Sequence, residues 1–174
     1  IAVVGAGPAG ISFSITAAQR GHVVSLFEES NEIGGQLNFA KMIPGKEEFH
    51  GLLNYYKNEI KRLKIDLITD HKVKTTDLIN FDEIIISTGV VPRKIDIEGQ
   101  DKVNFVYDYQ EVFNDGVKLG NRIAIIGAGG IGFDVAEYIS SSGISPTLDI
   151  NKWMEKWGVT DPAIERGGVL QKNE

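Results

Sequence analysis

Gly5, Gly7 and Gly10, with Pro8 and Ala9 among them, follow directly on the apolar run Ile1 to Val4. A short apolar run turning on glycines into a small-residue helix is a device for holding a pyrophosphate. Gly5 permits the tight turn, Gly7 lets the phosphates approach the backbone, and Gly10 lets the helix lie close to the sheet. The helix N-terminus then offers unpaired N–H groups and a positive dipole end. Glu28, with Glu29 beside it, closes the next apolar run at the offset of about 20 residues expected for a carboxylate that accepts ribose hydroxyls. A carboxylate there repels a 2′-phosphate, so this first site suits FAD, ADP or NAD better than NADP. The same chemistry recurs late in the chain, where Gly127, Gly129, Gly130, Ile131 and Gly132 follow the run Arg122 to Ile126.

Elements must carry these residues. Ile1 to Val4 reads as a buried parallel strand, the following helix runs to Arg20, and Val23 to Phe27 makes the second strand of a βαβ unit. Asn31 to Ile43 reads as irregular, broken at Gly34-Gly35. From Lys46 to Leu63, Phe49, Leu52, Leu53, Tyr56, Ile60 and Leu63 recur at helical spacing, a core-packing stripe. Asp66 to Thr69 is a short strand, then a polar stretch surrounds Val73. Phe81 to Ser87 reads as another buried strand, stopping at Thr88-Gly89. Pro92 to Asn104 is a connection, and Asp108 with Glu111 forms a capping box for a short helix. Arg122 to Ile126 is expected as a strand and Phe133 to Ile139 as its helix. Beyond Ser140 no second strand of that unit is recognisable.

The composition sets limits. The chain has 174 residues, 42% hydrophobic and 24% charged, with a formal net charge of −6. Acids and bases are interspersed, without a basic stripe for nucleic acid or anionic lipid, so neither is an expected partner. No apolar run approaches the roughly 20 residues that span a bilayer, and no signal-peptide pattern leads the chain. The absence of Cys excludes disulfides, thiol catalysis and Cys-ligated metal within these residues and suits a reducing cytoplasm. His22, His50 and His71 are scattered without ligand spacing, so no metal site and no catalytic residue is expected. Ile1 opens on a strand pattern without Met, and the chain reads as a piece of a longer protein.

In order, "VVGAGPAG", an acid closing the second strand, "IGGQL", "IIISTGVVPR" and "IAIIGAGGIG" resemble the flavoprotein reductases with two dinucleotide domains. More narrowly, "NEIGGQLNFAKMIPGKEEF" (Asn31 to Phe49) and "AIIGAGGIGFD" (Ala124 to Asp134) resemble the bacterial NADPH-dependent 2,4-dienoyl-CoA reductases. The resemblance implies an α/β, Rossmann-like FAD/NAD(P)-binding fold, a parallel sheet with flanking helices, cut short at the second dinucleotide unit. It implies a first, incomplete FAD domain over 1–93, a connection over 94–120 and the start of an NAD(P)H domain over 121–174. FAD would lie on Gly5 to Gly10, Glu28 and Glu29, with Gly35, Gln36 and Leu37 near its flavin. Thr88 and Gly89 return toward it, and Val73 approaches adenine through its backbone. NADPH, or NADH, would take the second turn. Hydride would then pass to FAD, and electrons onward to a 4Fe–4S cluster and FMN in a barrel domain of the same parent chain, where the dienoyl-CoA binds. Barrel, FMN and cluster lie outside these residues. The alternative is a non-redox ADP-binding domain of an amine-dehydrogenase-like flavoprotein, and a third reading is an interaction domain with degenerate turns.

The remaining candidates read as structural. Asp134 is expected at a helix start or in a local structural role, Trp153 and Trp157 on one helix face, and Tyr55 and Tyr56 split between surface and core. Lys41 and Lys46 are expected in solvent, and Arg93 in a surface pair.

Overall fold

The computed structural model describes residues 1–93, 95–103, 105–114 and 117–169; Lys94, Asn104, Asp115, Gly116 and the tail from 170, all within the expected connection and final unit, lie outside them. Four short strands, β1 (Ala2–Val4), β2 (Ser25–Phe27), β3 (Asp66–Ile68) and β4 (Ile84–Ile86), form one sheet. All its pairings are parallel, in the order β3-β2-β1-β4. The order reverses at β1, which places its carboxyl end at the crevice where open α/β sheets bind ligands.

Helix α1 (Pro8–Gln19) starts with Pro at its first position, where the missing N–H costs no hydrogen bond. It buries Gly10, Ile11, Ser14, Ile15 and Ala17. The expected stripe forms α3 (Glu48–Arg62), with Leu53, Tyr56 and Ile60 inward and Lys61 and Arg62 in the last turn, where cations favour the helix dipole. These two helices cover Val3, Leu26 and half-buried Ile85 to make the main core. Tyr55 is exposed and Tyr56 buried, as their positions predict.

Three expectations need correction. The segment after Gly34-Gly35 is not irregular throughout, since α2 (Leu37–Ala40) forms there. The strand expected over Phe81 to Ser87 is shorter, and its Ile84 and Ile86 are exposed. The reason is position: β4 is an edge strand, and only the face carrying Ile85 meets the helices. Arg122 to Ile126 forms no strand among the described residues. A strand exists only where a neighbour completes its ladder, and no strand among the described residues lies beside this segment.

Both remaining helix expectations are met. The capping box opens α4 (Tyr109–Phe113), with Asp108 accepting from the Glu111 N–H and Glu111 from the Asp108 N–H. Helix α5 (Gly130–Ser140) follows the second glycine turn, and α6 (Ile150–Trp157) carries Trp153 and Trp157 with ring centroids 6.4 Å apart. A second, smaller core joins α4 and α5 to the segment around α2: Ile43, Phe113 and Val135 are buried together, with Phe39, Tyr109 and Tyr138 against them.

Candidate functional site

The first glycine turn is held by close backbone contacts. Gly5 has φ +102°, and a Cβ there would lie 2.4 Å from the Ser87 carbonyl oxygen and 3.0 Å from Thr88 Cα. A Cβ on Gly10 would lie 1.9 Å from the Gly5 oxygen. Both positions therefore exclude every side chain. Gly7 differs: nothing lies within 4 Å of where its Cβ would be. Packing does not require glycine there, and the bare backbone faces open space, the condition a pyrophosphate needs.

Around that space the donors are free. Gly7 caps α1 in an extended conformation without a side-chain bond, and no acidic residue occupies the first turn of the helix. The N–H groups of Gly7, Ala9 and Gly10 meet no acceptor among the described residues, while Ile11 N–H already bonds the Gly7 oxygen. Pro8 and Ala9 are exposed beside them.

Glu28 is half-buried and engaged. Its Oε2 accepts from Ala6 N–H at 2.8 Å, and its Oε1 from Ser30 N–H at 2.9 Å and Ser30 Oγ at 2.8 Å. The carboxylate so braces the turn, and of about four lone-pair sites one remains for a ribose hydroxyl. Glu29 is exposed and pairs with Lys72 at 2.8 Å. The segment bearing half-buried Val73 lies alongside, since His71 N–H bonds the Glu28 oxygen and Asp70 N–H the Ser30 oxygen. Asp77 is held below its usual range by the Lys74 N–H and then by His71, whose Nε2 is 2.9 Å away.

The Gly34-Gly35 loop closes over the turn. Gly34 N–H bonds the Ala6 oxygen at 2.8 Å, and a Cβ on Gly35 would lie 3.2 Å from Gly7 Cα. Gln36 is exposed and accepts from Tyr109 Oη at 3.1 Å, while Leu37 packs on the main core. Thr88 and Gly89, both exposed, follow β4 at the same sheet edge. Close contacts thus gather Glu28, Gly35 and Thr88 against the Gly5 to Gly10 turn, with Gln36 next to Gly35 in sequence. Ser87, absent from the expected set, secures it: its N–H bonds the Val4 oxygen at 2.8 Å, and its Oγ lies 2.9 Å from the Val4 and Gly5 oxygens. The only sequence signal for it is its place before Thr88-Gly89.

At the second turn Gly127 has φ +114°, Gly129 caps α5 in an extended conformation, and a Cβ on Gly132 would lie 2.3 Å from the Gly127 oxygen. Gly129, Gly130 and Ile131 are exposed, and the space about Gly127, Gly129 and Gly130 is open. Asp134, one turn into α5, pairs with Lys46 Nζ at 2.6 Å, so neither residue stands alone in solvent. Lys41 donates to Asn38 Oδ1 at 2.8 Å, and exposed Arg93 makes no ion pair among the described residues.

A parallel sheet reversing at β1, with an open glycine turn and a braced acid at its carboxyl edge, defines a Rossmann-like dinucleotide-binding domain. Residues 1–161 match the family model described as pyridine nucleotide-disulphide oxidoreductase, and the chain belongs to that family of FAD/NAD(P)-binding flavoprotein oxidoreductase domains. It is 32% identical over 153 residues to an NADH oxidase of Thermoanaerobacter brockii, covering 85% of this chain and 24% of that protein. An N,N-dimethylglycine/sarcosine dehydrogenase of Chromohalobacter salexigens is 28% identical, over 95% of this chain and 26% of its own length. The solved 2-naphthoyl-CoA reductase, in complex with 2-naphthoyl-CoA, superposes with a TM-score of 0.73 at 30% identity. That match covers 89% of this chain and 26% of the reductase. The chain spans about a quarter of the length of these relatives.

Proposed function

We propose that the chain supplies the FAD site and the NAD(P)H-binding turn of a flavin reductase that acts on a conjugated acyl-CoA, of the 2,4-dienoyl-CoA reductase type. The observation that carries the FAD site is Gly7, a glycine that packing does not demand, lying beside unpaired N–H groups. In this reading Gly7, Ala9 and Gly10 bind the FAD pyrophosphate, and Glu28 and Glu29 face its ribose. Val73 lies toward adenine, and Gly35, Gln36, Leu37, Thr88 and Gly89 flank the flavin. Gly127, Gly129, Gly130, Ile131 and Gly132 orient NADPH or NADH. Held there, FAD would supply two-electron chemistry as acceptor of a hydride from NAD(P)H. Onward transfer to an Fe–S cluster and FMN in a barrel domain of a longer parent chain completes the proposal. The similarity to 2-naphthoyl-CoA reductase supports the acyl-CoA substrate, and the absence of Cys here requires the cluster ligands to lie elsewhere.

A second reading is favoured by the amine-dehydrogenase relative: ADP in place of FAD, with the domain structural. Denaturing the intact protein and separating the released nucleotides decides between them. FAD in stoichiometric yield supports the reductase; ADP without FAD overturns it.

A further inference from the structure

Pro44-Gly45-Lys46-Glu47 lies outside both nucleotide turns, yet it grips the second unit at two points. Lys46 Nζ donates to Asp134 Oδ1 at 2.6 Å, across 88 positions of sequence. Glu47 Oε2 accepts from Thr147 Oγ1 at 2.7 Å and from Gly45 N–H at 3.0 Å. Burial pushes the Glu47 carboxyl up, but hydrogen bonds from Ser145, Thr147 and the backbone N–H groups of Glu47 and Gly45 outweigh it and hold it at about 2. It is therefore a charged acceptor at neutral pH. The first grip falls one turn into α5, the second on the 3-10 turn Pro146–Leu148 beyond that helix.

The gripping segment is itself tied to the first site. It continues α2, which begins at Leu37, beside Gln36 and the Gly35 that lies against Gly7. Ile43 is buried with Phe113 and Val135, and the Phe113 and Tyr138 rings stand 4.8 Å apart. Tyr109 Oη bonds back to Gln36. A continuous set of contacts thus runs from the first glycine turn to the second.

We propose that Lys46 and Glu47 are positioning residues, a two-point clamp that fixes the second glycine turn at working distance from the first. The proposal rests on the reductase reading, in which hydride passes between nucleotides held on those two turns. Magnitudes decide what the clamp is for. A partly exposed ion pair adds little to stability, whereas transfer between reacting atoms is steep in distance, about 100-fold for a 1 Å misplacement. Its effect should therefore appear in geometry and rate rather than in melting.

Charge reversal in the intact protein tests this. Lys46→Glu is expected to keep its FAD and its melting midpoint. Amide hydrogen exchange through Gly130–Ser140 should quicken, and single-turnover flavin reduction by NAD(P)H should slow about tenfold. Adding Asp134→Lys should restore both protection and rate. Lys46→Met, which keeps the stem and removes the charge, gives the same readouts if the reversed charge disturbs folding. Unchanged exchange and rate, loss of FAD, or failure of the reciprocal pair to restore them overturns the clamp. If NAD(P)H does not reduce the flavin of the unmodified protein, the reductase reading falls, and the clamp with it.

Discussion

Gly5 and Gly127 take φ of +102° and +114°, and Gly7 and Gly129 cap their helices with the same ψ of −179°. In each turn the N–H four residues past the cap bonds the cap's carbonyl, at 3.0 Å for Ile11 and 3.2 Å for Phe133. Their surroundings differ completely. The first turn is wedged between β1 and the end of β4, with Ser87 bonded to its carbonyls. The second stands on no strand, and Ile123, Ile125 and Ile126 before it are exposed. The comparison teaches that the turn-and-helix conformation is encoded locally by glycine spacing and sterics. The strand beneath it is a collective property of a sheet.

The largest effect should separate the turns by their packing. Gly10→Ala drives a Cβ into the Gly5 carbonyl and toward Ser87 Oγ. Overpacking of this kind costs about 1–3 kcal/mol, and urea unfolding of the first domain should shift by that amount, with flavin lost. Gly132→Ala makes a similar clash with Gly127, but the open surroundings let α5 shift, so the main transition should stay in place. Equal shifts in the two variants would erase the distinction.

Next, Gly7→Val and Gly129→Val both place a side chain in open space, so neither should disturb folding. The first should lower flavin content about tenfold or more, equivalent to about 1.4 kcal/mol. The second should leave flavin in place and raise the apparent Kd for NAD(P)H. Parallel loss of flavin in both would show that the turns do not serve separate nucleotides.

The smallest effect concerns acid. A folded pKa of about 2 at Glu47, against the ordinary 4.5, stabilises the docked α5 above pH 4.5. That contribution fades as pH falls toward 2. Glu47→Gln should flatten this limb of a urea-midpoint-against-pH curve, lying slightly below the parent at neutral pH and converging with it near pH 2. An unaltered acid limb would mean the carboxylate is not held as its hydrogen bonds imply.

The first βαβ unit, the α3 stripe, the Asp108–Glu111 box and the Tyr55/Tyr56 division were legible in sequence, because each depends on neighbours a few residues away. The grouping of Glu28, Gly35 and Thr88 about Gly7 was legible through resemblance to a family rather than through periodicity. Ser87 and the Lys46–Asp134 pair were not, since nothing local marks a hydroxyl under a turn or an ion pair across 88 positions. The exposure of Ile84 and Ile86 was also hidden, because an apolar triplet reads the same at a sheet's edge as at its centre.

Gly34 and Gly35 have one further consequence. A side chain on Gly34 would meet buried Leu53 at 2.6 Å, and one on Gly35 would meet the first turn itself. Both carry positive φ, +120° and +51°. This loop therefore offers mutation no foothold: it presents only main chain to whatever lies beside it. Any evolutionary retuning of that neighbourhood has to begin at Gln36, the next side chain along, and it would have to give up the bond from Tyr109.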